Sequence, residues 1–167
     1  MDKVISYTPM MDYLMKGFVF FSSATITLTN GQTKYIYGKV GQIKDIIMED
    51  RNVVAYSSVA DIDVEIKLYE DPTITANGTP LEIYNNNRNL LDVTTYKIFL
   101  VPTISDNGTI LPRGNRLRGA KNEMVSASDR SPYILAKNKG YLIEVINNTV
   151  NTVKVGIFWN WWEEGDL

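Results

Sequence analysis

Residues 61–69, DIDVEIKLY, decide the fold class of this sequence. Charged and apolar residues alternate along them, and successive side chains of a β-strand point to opposite faces. One face is therefore apolar and the other charged, as expected for a strand that covers a core on one side and meets solvent on the other. The apolar positions are Ile62, Val64, Ile66 and Leu68.

The composition extends this prediction to the whole chain. Val, Ile and Thr number 14, 17 and 14 among 167 residues, whereas Ala and Leu together number 19. β-Branched residues favour strands, and Ala and Leu are the best helix formers. We therefore expect an all-β protein, an antiparallel β-sandwich with a jelly-roll-like organisation.

The residue types exclude several kinds of chemistry. The sequence contains no Cys and no His, which excludes disulfides, thiolate nucleophiles, Cys/His zinc sites and Ser-His-Asp triads. The net charge of -2 provides no overall field to attract nucleic acid or an anionic membrane. We expect no enzyme activity, no cofactor or metal, no specific nucleic-acid partner and no membrane association.

Further strand-like segments follow one another along the chain, separated by turns that contain Asn or Gly. Residues 17–28 are an apolar run that we interpret as a buried strand, the alternative being a signal peptide, which Asp2 and Asp12 disfavour. Residues 1–16 are predicted to form an N-terminal arm and residues 17–167 a single β-sandwich domain. The other segments are residues 33–40, 42–48, 52–57, 80–84, 93–101, 133–136, 140–147 and 152–162.

Two segments resemble each other at an offset of thirty residues, since residues 67–81 are KLYEDPTITANGTPL and residues 97–111 are KIFLVPTISDNGTIL. Each predicts a strand, a proline that ends its hydrogen-bond ladder, and an Asn-Gly turn that accepts positive φ. Two copies are too few for a solenoid, so we interpret them as similar corners of one domain. The residues to which we assign structural roles in turns are Asn77, Gly78, Arg88, Asn107 and Gly108. For Arg88, the role is to fix a turn or to pair with a carboxylate such as Glu70.

An ordered set of short motifs across residues 60–167 resembles a family of small structural proteins of tailed bacteriophage virions. The motifs are LYEDPT (68–73), NGT (77–79), NNNRN (85–89), PTI (102–104), NGT (107–109), YILAKNKGYLIEVIN (133–147) and FWNWWEE (158–164). The resemblance implies a β-rich, non-enzymatic virion component of the capsid-decoration, head-fibre or accessory kind. It also implies a virion location, capsid or other virion proteins as partners, and assembly as a homo-oligomer, with a trimer favoured by analogy with viral jelly rolls.

Residues 112–132 are the longest interruption of the strand pattern, and we interpret them as a basic loop. Arginine makes bidentate contacts with carboxylates and phosphates, so this loop is either simply solvated or docks onto an acidic subunit or capsid surface. Nucleic acid is a weaker alternative, because the loop lacks interleaved aromatic residues. The basic residues are Arg113, Arg116, Arg118, Lys121 and Arg130.

The densest aromatic cluster lies near the C-terminus. Strand alternation places Phe158 and Trp162 on one face and Trp159 and Trp161 on the other, so one pair enters the core and the second is left for another surface. We expect Trp159 or Trp161, together with the basic loop, to lie at a protein–protein contact. The alternative function is a carbohydrate- or receptor-binding module in which the tryptophans stack on host glycans.

Overall fold

The computed structural model describes residue 16, residues 18–87, residue 89, residues 93–129 and residues 132–163. These residues form β-strands and turns, with no helix among them, and so none that is long and apolar enough to span a membrane. The all-β prediction is confirmed. The strands are β1 (Val19–Leu28), β2 (Thr33–Lys39), β3 (Ile46–Tyr56), β4 (Ile62–Glu70), β5 (Thr73–Ala76), β6 (Thr79–Pro80), β7 (Tyr84–Asn85), β8 (Lys97–Leu100), β9 (Thr103–Asp106), β10 (Thr109–Gly119), β11 (Met124–Asp129), β12 (Tyr133–Leu135), β13 (Gly140–Asn147) and β14 (Val153–Glu163).

The strands form two six-stranded antiparallel sheets and one short two-stranded sheet. Sheet A has the order β11-β3-β14-β1-β7, with β12 also paired to β3. Sheet B has the order β10-β4-β13-β2-β8-β6. The main core combines the apolar faces of both sheets, for example Trp161 and Ile157 from sheet A with Ile66 and Val145 from sheet B. The antiparallel β-sandwich prediction is therefore confirmed.

Alternation along the strands produces this core, because every second side chain points inward. Strand β4 has buried residues at Ile62, Val64, Ile66 and Leu68, the four apolar positions that define the sequence pattern. Strand β1 begins two residues later than the predicted apolar run and alternates along most of its length between buried and exposed positions. The predicted N-terminal arm lies outside the described residues except for Lys16, so its boundary stays a prediction.

Strand β3 joins two segments that the sequence predicts as separate strands, residues 42–48 and 52–57. Residues 49–51, between the two predicted segments, are Glu-Asp-Arg. In the structure the strand continues through them, with a register shift in its pairing to β14. A bulge of this kind absorbs one extra residue without ending the strand.

The two similar segments pair with each other. Their central strands, β5 and β9, form the two-stranded sheet. The strand after each Asn-Gly turn then pairs with the strand at the start of the other segment, so that Thr79 lies opposite Leu100 and Thr109 lies opposite Glu70. The two corners are therefore interlocked, an arrangement that their shared sequence alone does not reveal.

Sheet B has an approximate two-fold axis between its central strands, β13 and β2, which exchanges β4 with β8 and β10 with β6. Two backbone hydrogen bonds show this relation: Asp71 N donates to Gly140 O over 2.8 Å, and Val101 N donates to Tyr35 O over 2.9 Å. Asp71 and Val101 occupy the same position in the two similar segments. The pseudosymmetry makes it possible to compare equivalent positions in the two halves of the sheet.

The glycine of each Asn-Gly turn is required at its position. Gly78 and Gly108 have φ values of 85° and 83°, in a region that side-chain-bearing residues rarely adopt. A Cβ atom at Gly78 would lie 2.1 Å from the carbonyl oxygen of Leu100, and one at Gly108 would lie 2.2 Å from that of Glu70. Each turn therefore packs directly onto the end of a strand from the other segment.

Candidate functional site

The structure corrects the predicted position of two tryptophans. Trp159 and Trp161 are 3% and 0% exposed, and both belong to the main core between the sheets. Side chains this buried in the folded chain do not contact a partner, so their assignment to a protein–protein contact is wrong. The alternation itself was right, and the error lies in which face was directed outward.

The sequence of β14 contains the signal that would have oriented it. The face with Trp159 and Trp161 also carries Val153, Val155 and Ile157, and is therefore apolar at every position before the last, Glu163. The opposite face starts with Lys154 and Gly156 and includes Asn160. Because the more apolar face of a strand covers the core, the whole strand and not the aromatic cluster alone decides its orientation.

Three aromatic side chains lie together on the outer surface of sheet A, and we call them the aromatic face: Tyr84 on β7, Phe21 on β1 and Phe158 on β14. They are 49%, 39% and 49% exposed. The rings of Phe21 and Tyr84 are stacked, with centroids 5.3 Å apart and planes at 25°. Phe21 lies opposite Asn160 in the β1–β14 pairing, so Phe158 is its diagonal neighbour. The ring of Phe158 leans over Gly156, since a Cβ atom there would lie 3.4 Å from Phe158 Cε2.

Polar residues border the aromatic face. Asn160 accepts a hydrogen bond at its Oδ1 from Asn86 Nδ2 over 3.1 Å, which links the edge of the sheet to its centre. Phe158 lies opposite Ser23 on one side and Asn52 on the other. An exposed apolar centre with a polar border is the usual composition of a protein–protein contact. Phe21 and Tyr84 carry no signal of their proximity in the sequence, because it depends on β1 pairing with β7.

The predicted basic loop is not a loop. Residues 112–129 of this segment form the second part of β10, a turn, and β11. The turn connects the edge of sheet B to the edge of sheet A. The alternation expected of a strand is not visible in the sequence here, because the β4–β10 pairing shifts register between Leu111 and Asn115. Arg113 lies within this irregular stretch. Arg88 and Arg130 lie outside the described residues, so their predicted roles have no structural account.

Arg116 and Arg118 are engaged with a carboxylate of the neighbouring strand β4. Arg116 makes a bidentate contact with Asp63, with its Nε and Nη2 each 2.8 Å from a carboxylate oxygen. Arg118 Nε lies 3.7 Å from the same carboxylate. The hydrogen bonds from Arg116 lower the pKa of Asp63, despite partial burial, which acts in the opposite direction. These arginines are therefore committed within the chain, in contrast with a free docking surface.

Lys121 and the acidic side of β4 meet at the turn after β10. The backbone N–H of Lys121 donates to Asp61 Oδ1 over 3.1 Å. Asp61, Asp63 and Glu65 line one side of a strand, but no group of three or more acidic residues within the described residues is arranged to hold a metal ion. The pairing of Asp63 with arginine explains why these carboxylates are tolerated so close together.

A second basic group, around Arg113, lies where the two sheets meet. The guanidinium of Arg113 lies 4.5 Å from the ring centroid of Tyr133 and 3.3 Å from Asp129. Beneath it, Arg51 is 1% exposed, with its Nη2 3.4 Å from Arg113 O and 4.0 Å from Asp129 Oδ2. Arg51 is not among the residues predicted from the sequence, because a charged residue in a Glu-Asp-Arg-Asn stretch indicates a turn and not an inward-facing position.

The comparisons with known proteins identify no family. No protein-family model and no curated protein matches the sequence. Among solved structures, the chain is similar to the Yersinia pseudotuberculosis-derived mitogen, with 12% identity over 88% of each chain and a TM-score of 0.33. It is also similar to hydroquinone 1,2-dioxygenase from Sphingomonas sp. TTNP3, with 11% identity over 87% of this chain and 60% of that chain and a TM-score of 0.32.

Viral structures are among the other neighbours. A chain in the structure of infectious bursal disease virus Gt strain has 13% identity over 89% of this chain and 41% of that chain, with a TM-score of 0.24. A chain in the structure of black queen cell virus has 10% identity over 91% of this chain and 63% of that chain, with a TM-score of 0.22. Superpositions this loose assign neither a family nor an activity to the chain.

Proposed function

We propose that this protein is a non-enzymatic structural component of a virion, which attaches to other virion proteins through the aromatic face as a homo-oligomer. The observation that carries the proposal is the exposed group of Phe21, Tyr84 and Phe158 on the outer surface of sheet A. Aromatic side chains are enriched in the centres of protein–protein contacts. The motifs that resemble phage virion proteins supply the class of partner.

The size of the aromatic face bears on how attachment works. A buried aromatic side chain contributes about 150–250 Å². Three half-exposed rings therefore offer about 225–375 Å², worth roughly 6–9 kcal/mol at about 25 cal/mol per Å². Association itself costs an estimated 4–15 kcal/mol, so one aromatic face alone gives little net affinity. Several linked copies would bind far more tightly, which is the reason to propose a homo-oligomer.

The same outer surface of sheet A offers additional contact area. Met124 and Tyr56 lie opposite each other on β11 and β3 and are 72% and 38% exposed. Ile134 on β12 is 64% exposed. A partner that covers sheet A more widely would bury these residues as well, and their positions define the largest footprint that we propose.

The proposal is tested by counting this protein in purified virus particles by quantitative mass spectrometry, with wild type compared with Phe158→Asp. We expect wild type to be present in a fixed copy number and Phe158→Asp to be depleted. Thr27→Asp is the matched control, because Thr27 is also exposed on the outer side of β1, lies opposite Lys154 and is not part of the aromatic face. Far-UV circular dichroism should show the same β-rich spectrum for all three proteins.

Two results would overturn the proposal. The first is absence of the wild-type protein from particles, and the second is normal occupancy by Phe158→Asp. If the isolated protein is instead retained by glycans and Phe158→Asp loses that retention, a carbohydrate- or receptor-binding module replaces the virion component as the function. Sedimentation equilibrium of the wild-type protein measures the number of copies in the oligomer, for which we propose three.

A further inference from the structure

A cavity of about 390 Å³ opens on the outer side of sheet B, between the ends of β2 and β8 and one of the two Asn-Gly turns. Its volume lies within the usual range for small-molecule sites. Two of its lining residues, Lys39 and Lys97, are exposed and lie directly opposite each other in the β2–β8 pairing. The lining also includes Gln42, Asn77, Phe99 and Asn138.

The cavity brings two like charges together. Like charges directly opposite each other on paired strands are destabilising. No acidic residue lines the cavity in the part of the chain that the structure describes. The carboxylate of Glu163 lies behind the lining residue Thr95, but it is 3% exposed and accepts hydrogen bonds from the Thr95 backbone N–H, over 2.8 Å, and from the Thr94 hydroxyl.

The pseudosymmetric position in the other half of sheet B shows what balances a lysine there. Lys67 on β4 is the equivalent of Lys97. It lies opposite Glu144 on β13, and its Nζ lies 3.8 Å from Glu65 Oε2 on its own strand. Glu144 is 8% exposed, and its carboxylate accepts hydrogen bonds from the Tyr69 hydroxyl over 2.7 Å and from the Tyr35 hydroxyl over 3.3 Å. In that half, the chain itself supplies the anion and its hydrogen-bond donors.

Three residues around these positions differ between the two halves. Lys39 takes the position of Glu144, Phe99 that of Tyr69, and Gly140 that of Tyr35. The carboxylate and one hydroxyl are therefore missing from this half. The space over Gly140 is taken by the ring of Tyr37, since a Cβ atom at Gly140 would lie 2.9 Å from Tyr37 Cε2. The asparagine of the Asn-Gly turn is kept: Asn107 interacts with both tyrosine hydroxyls in the filled half, and Asn77 lines the cavity in the other.

We propose that this cavity binds a small acidic sugar, whose carboxylate lies between the side-chain ammonium groups of Lys39 and Lys97. The ligand carboxylate replaces the one that Glu144 supplies in the other half. The amide groups of Gln42, Asn77 and Asn138 both donate and accept hydrogen bonds, which suits sugar hydroxyls. The ring of Phe99 supplies an apolar surface for the C–H face of a sugar.

The probe is D-glucuronate, titrated into the isotopically labelled full-length protein and followed by two-dimensional NMR of the side-chain amides. We expect saturable shifts of the Asn77, Asn138 and Gln42 signals. D-Glucose, which has no carboxylate, should bind at least about tenfold more weakly, since a hydrogen bond to a charged group is worth more than one to a neutral group. Raising the salt concentration should weaken glucuronate binding.

Lys39→Gln and Lys97→Gln should each weaken glucuronate binding about tenfold or more. Lys154→Gln is the charge-matched control and should bind like wild type, because Lys154 lies on sheet A, away from the cavity. The proposal is overturned if glucuronate causes no saturable shift, if glucose binds equally well, or if the Lys39 and Lys97 variants bind like wild type. Inorganic phosphate that binds as tightly as glucuronate would overturn the sugar-acid class.

Lys39→Glu tests the comparison between the two halves independently of any ligand. This substitution places a carboxylate opposite Lys97, as Glu144 is placed opposite Lys67. We expect a higher Tm at low salt than wild type, together with loss of glucuronate binding. A lower Tm would show that Lys39 and Lys97 are not in conflict, and retained binding would show that the anion does not occupy this position. Neither result bears on attachment through the aromatic face.

Discussion

Replacing Trp161 by alanine tests the central correction that the structure makes to the sequence analysis. Trp161 is fully buried, stacks on Phe20 with ring centroids 6.1 Å apart, and meets the ring of Tyr96 edge-on at 5.4 Å. Its indole Nε1 donates to Thr94 Oγ1 over 3.4 Å. Truncating a buried tryptophan to alanine costs about 3–5 kcal/mol of unfolding free energy, because packing is lost and a cavity remains.

The assay is equilibrium urea unfolding followed by far-UV circular dichroism, with thermal melts in parallel. For a domain of this size, a loss of about 3–5 kcal/mol corresponds to a decrease in Tm of about 6–20 °C. Phe158→Ala is the matched control on the same strand, because Phe158 is 49% exposed. Its truncation should cost less than about 1 kcal/mol. Trp161→Phe keeps a buried ring and should cost about 1–2 kcal/mol, which covers the case in which Trp161→Ala does not fold.

The reasoning is refuted if Trp161→Ala unfolds at the same urea concentration as Phe158→Ala. A folded Trp161→Ala monomer that has lost only its ability to assemble would restore the sequence-based assignment of this residue to an interface. If instead Trp161→Phe is as destabilised as Trp161→Ala, the indole hydrogen bond matters more than the ring packing that we infer from the stacking distances.

Three other variants test the turns and the charged groups. Gly108→Ala should lose at least about 2 kcal/mol of unfolding free energy in urea melts, and the control Gly31→Ala about 1 kcal/mol. Both glycines have positive φ, but a Cβ atom at Gly31 would meet nothing within 4 Å. Hydrogen bonds from Arg116 lower the pKa of Asp63, so wild type should be more stable than Asp63→Asn above about pH 4, and this difference should vanish as the pH falls through the lowered pKa. Burial and the Glu144 carboxylate raise the pKa of Tyr35 and Tyr69, whose hydroxyls donate to that carboxylate. The free energy of unfolding that is lost as the pH rises above about 10 should therefore be smaller in Glu144→Gln than in wild type. Equal losses in both proteins would contradict this.

The alternation of apolar and polar residues was sufficient to predict the strands whose two faces differ clearly in polarity. Strand β13 has the predicted bounds, and β14 differs from its predicted bounds by one residue at each end. Prediction from alternation failed where a bulge interrupts the pattern, as at Arg51 in β3 and at Arg113 in β10. A bulge shifts the face of every residue that follows it, and the residues within it carry no periodic signal of their own.

The candidate sites could not have been located from the sequence. The aromatic face brings together Phe21, Tyr84 and Phe158, which are far apart in the chain and meet only because β7 and β14 both pair with β1. The cavity likewise depends on Lys39 and Lys97 being opposite each other. Pairing between distant strands is set by the sum of all contacts in a sheet, and no single segment encodes it.

The sequence by itself determined the all-β class, the apolar face of strands such as β4, and the presence of two similar corners with Asn-Gly turns. Only the tertiary structure decided that these corners interlock, and that equivalent positions beside them hold Glu144 in one half of sheet B and Lys39 in the other. The physical reason is the range of the interactions. Alternation and turn conformation are properties of a few neighbouring residues, whereas register, burial and the balance of charges depend on which distant strand lies alongside.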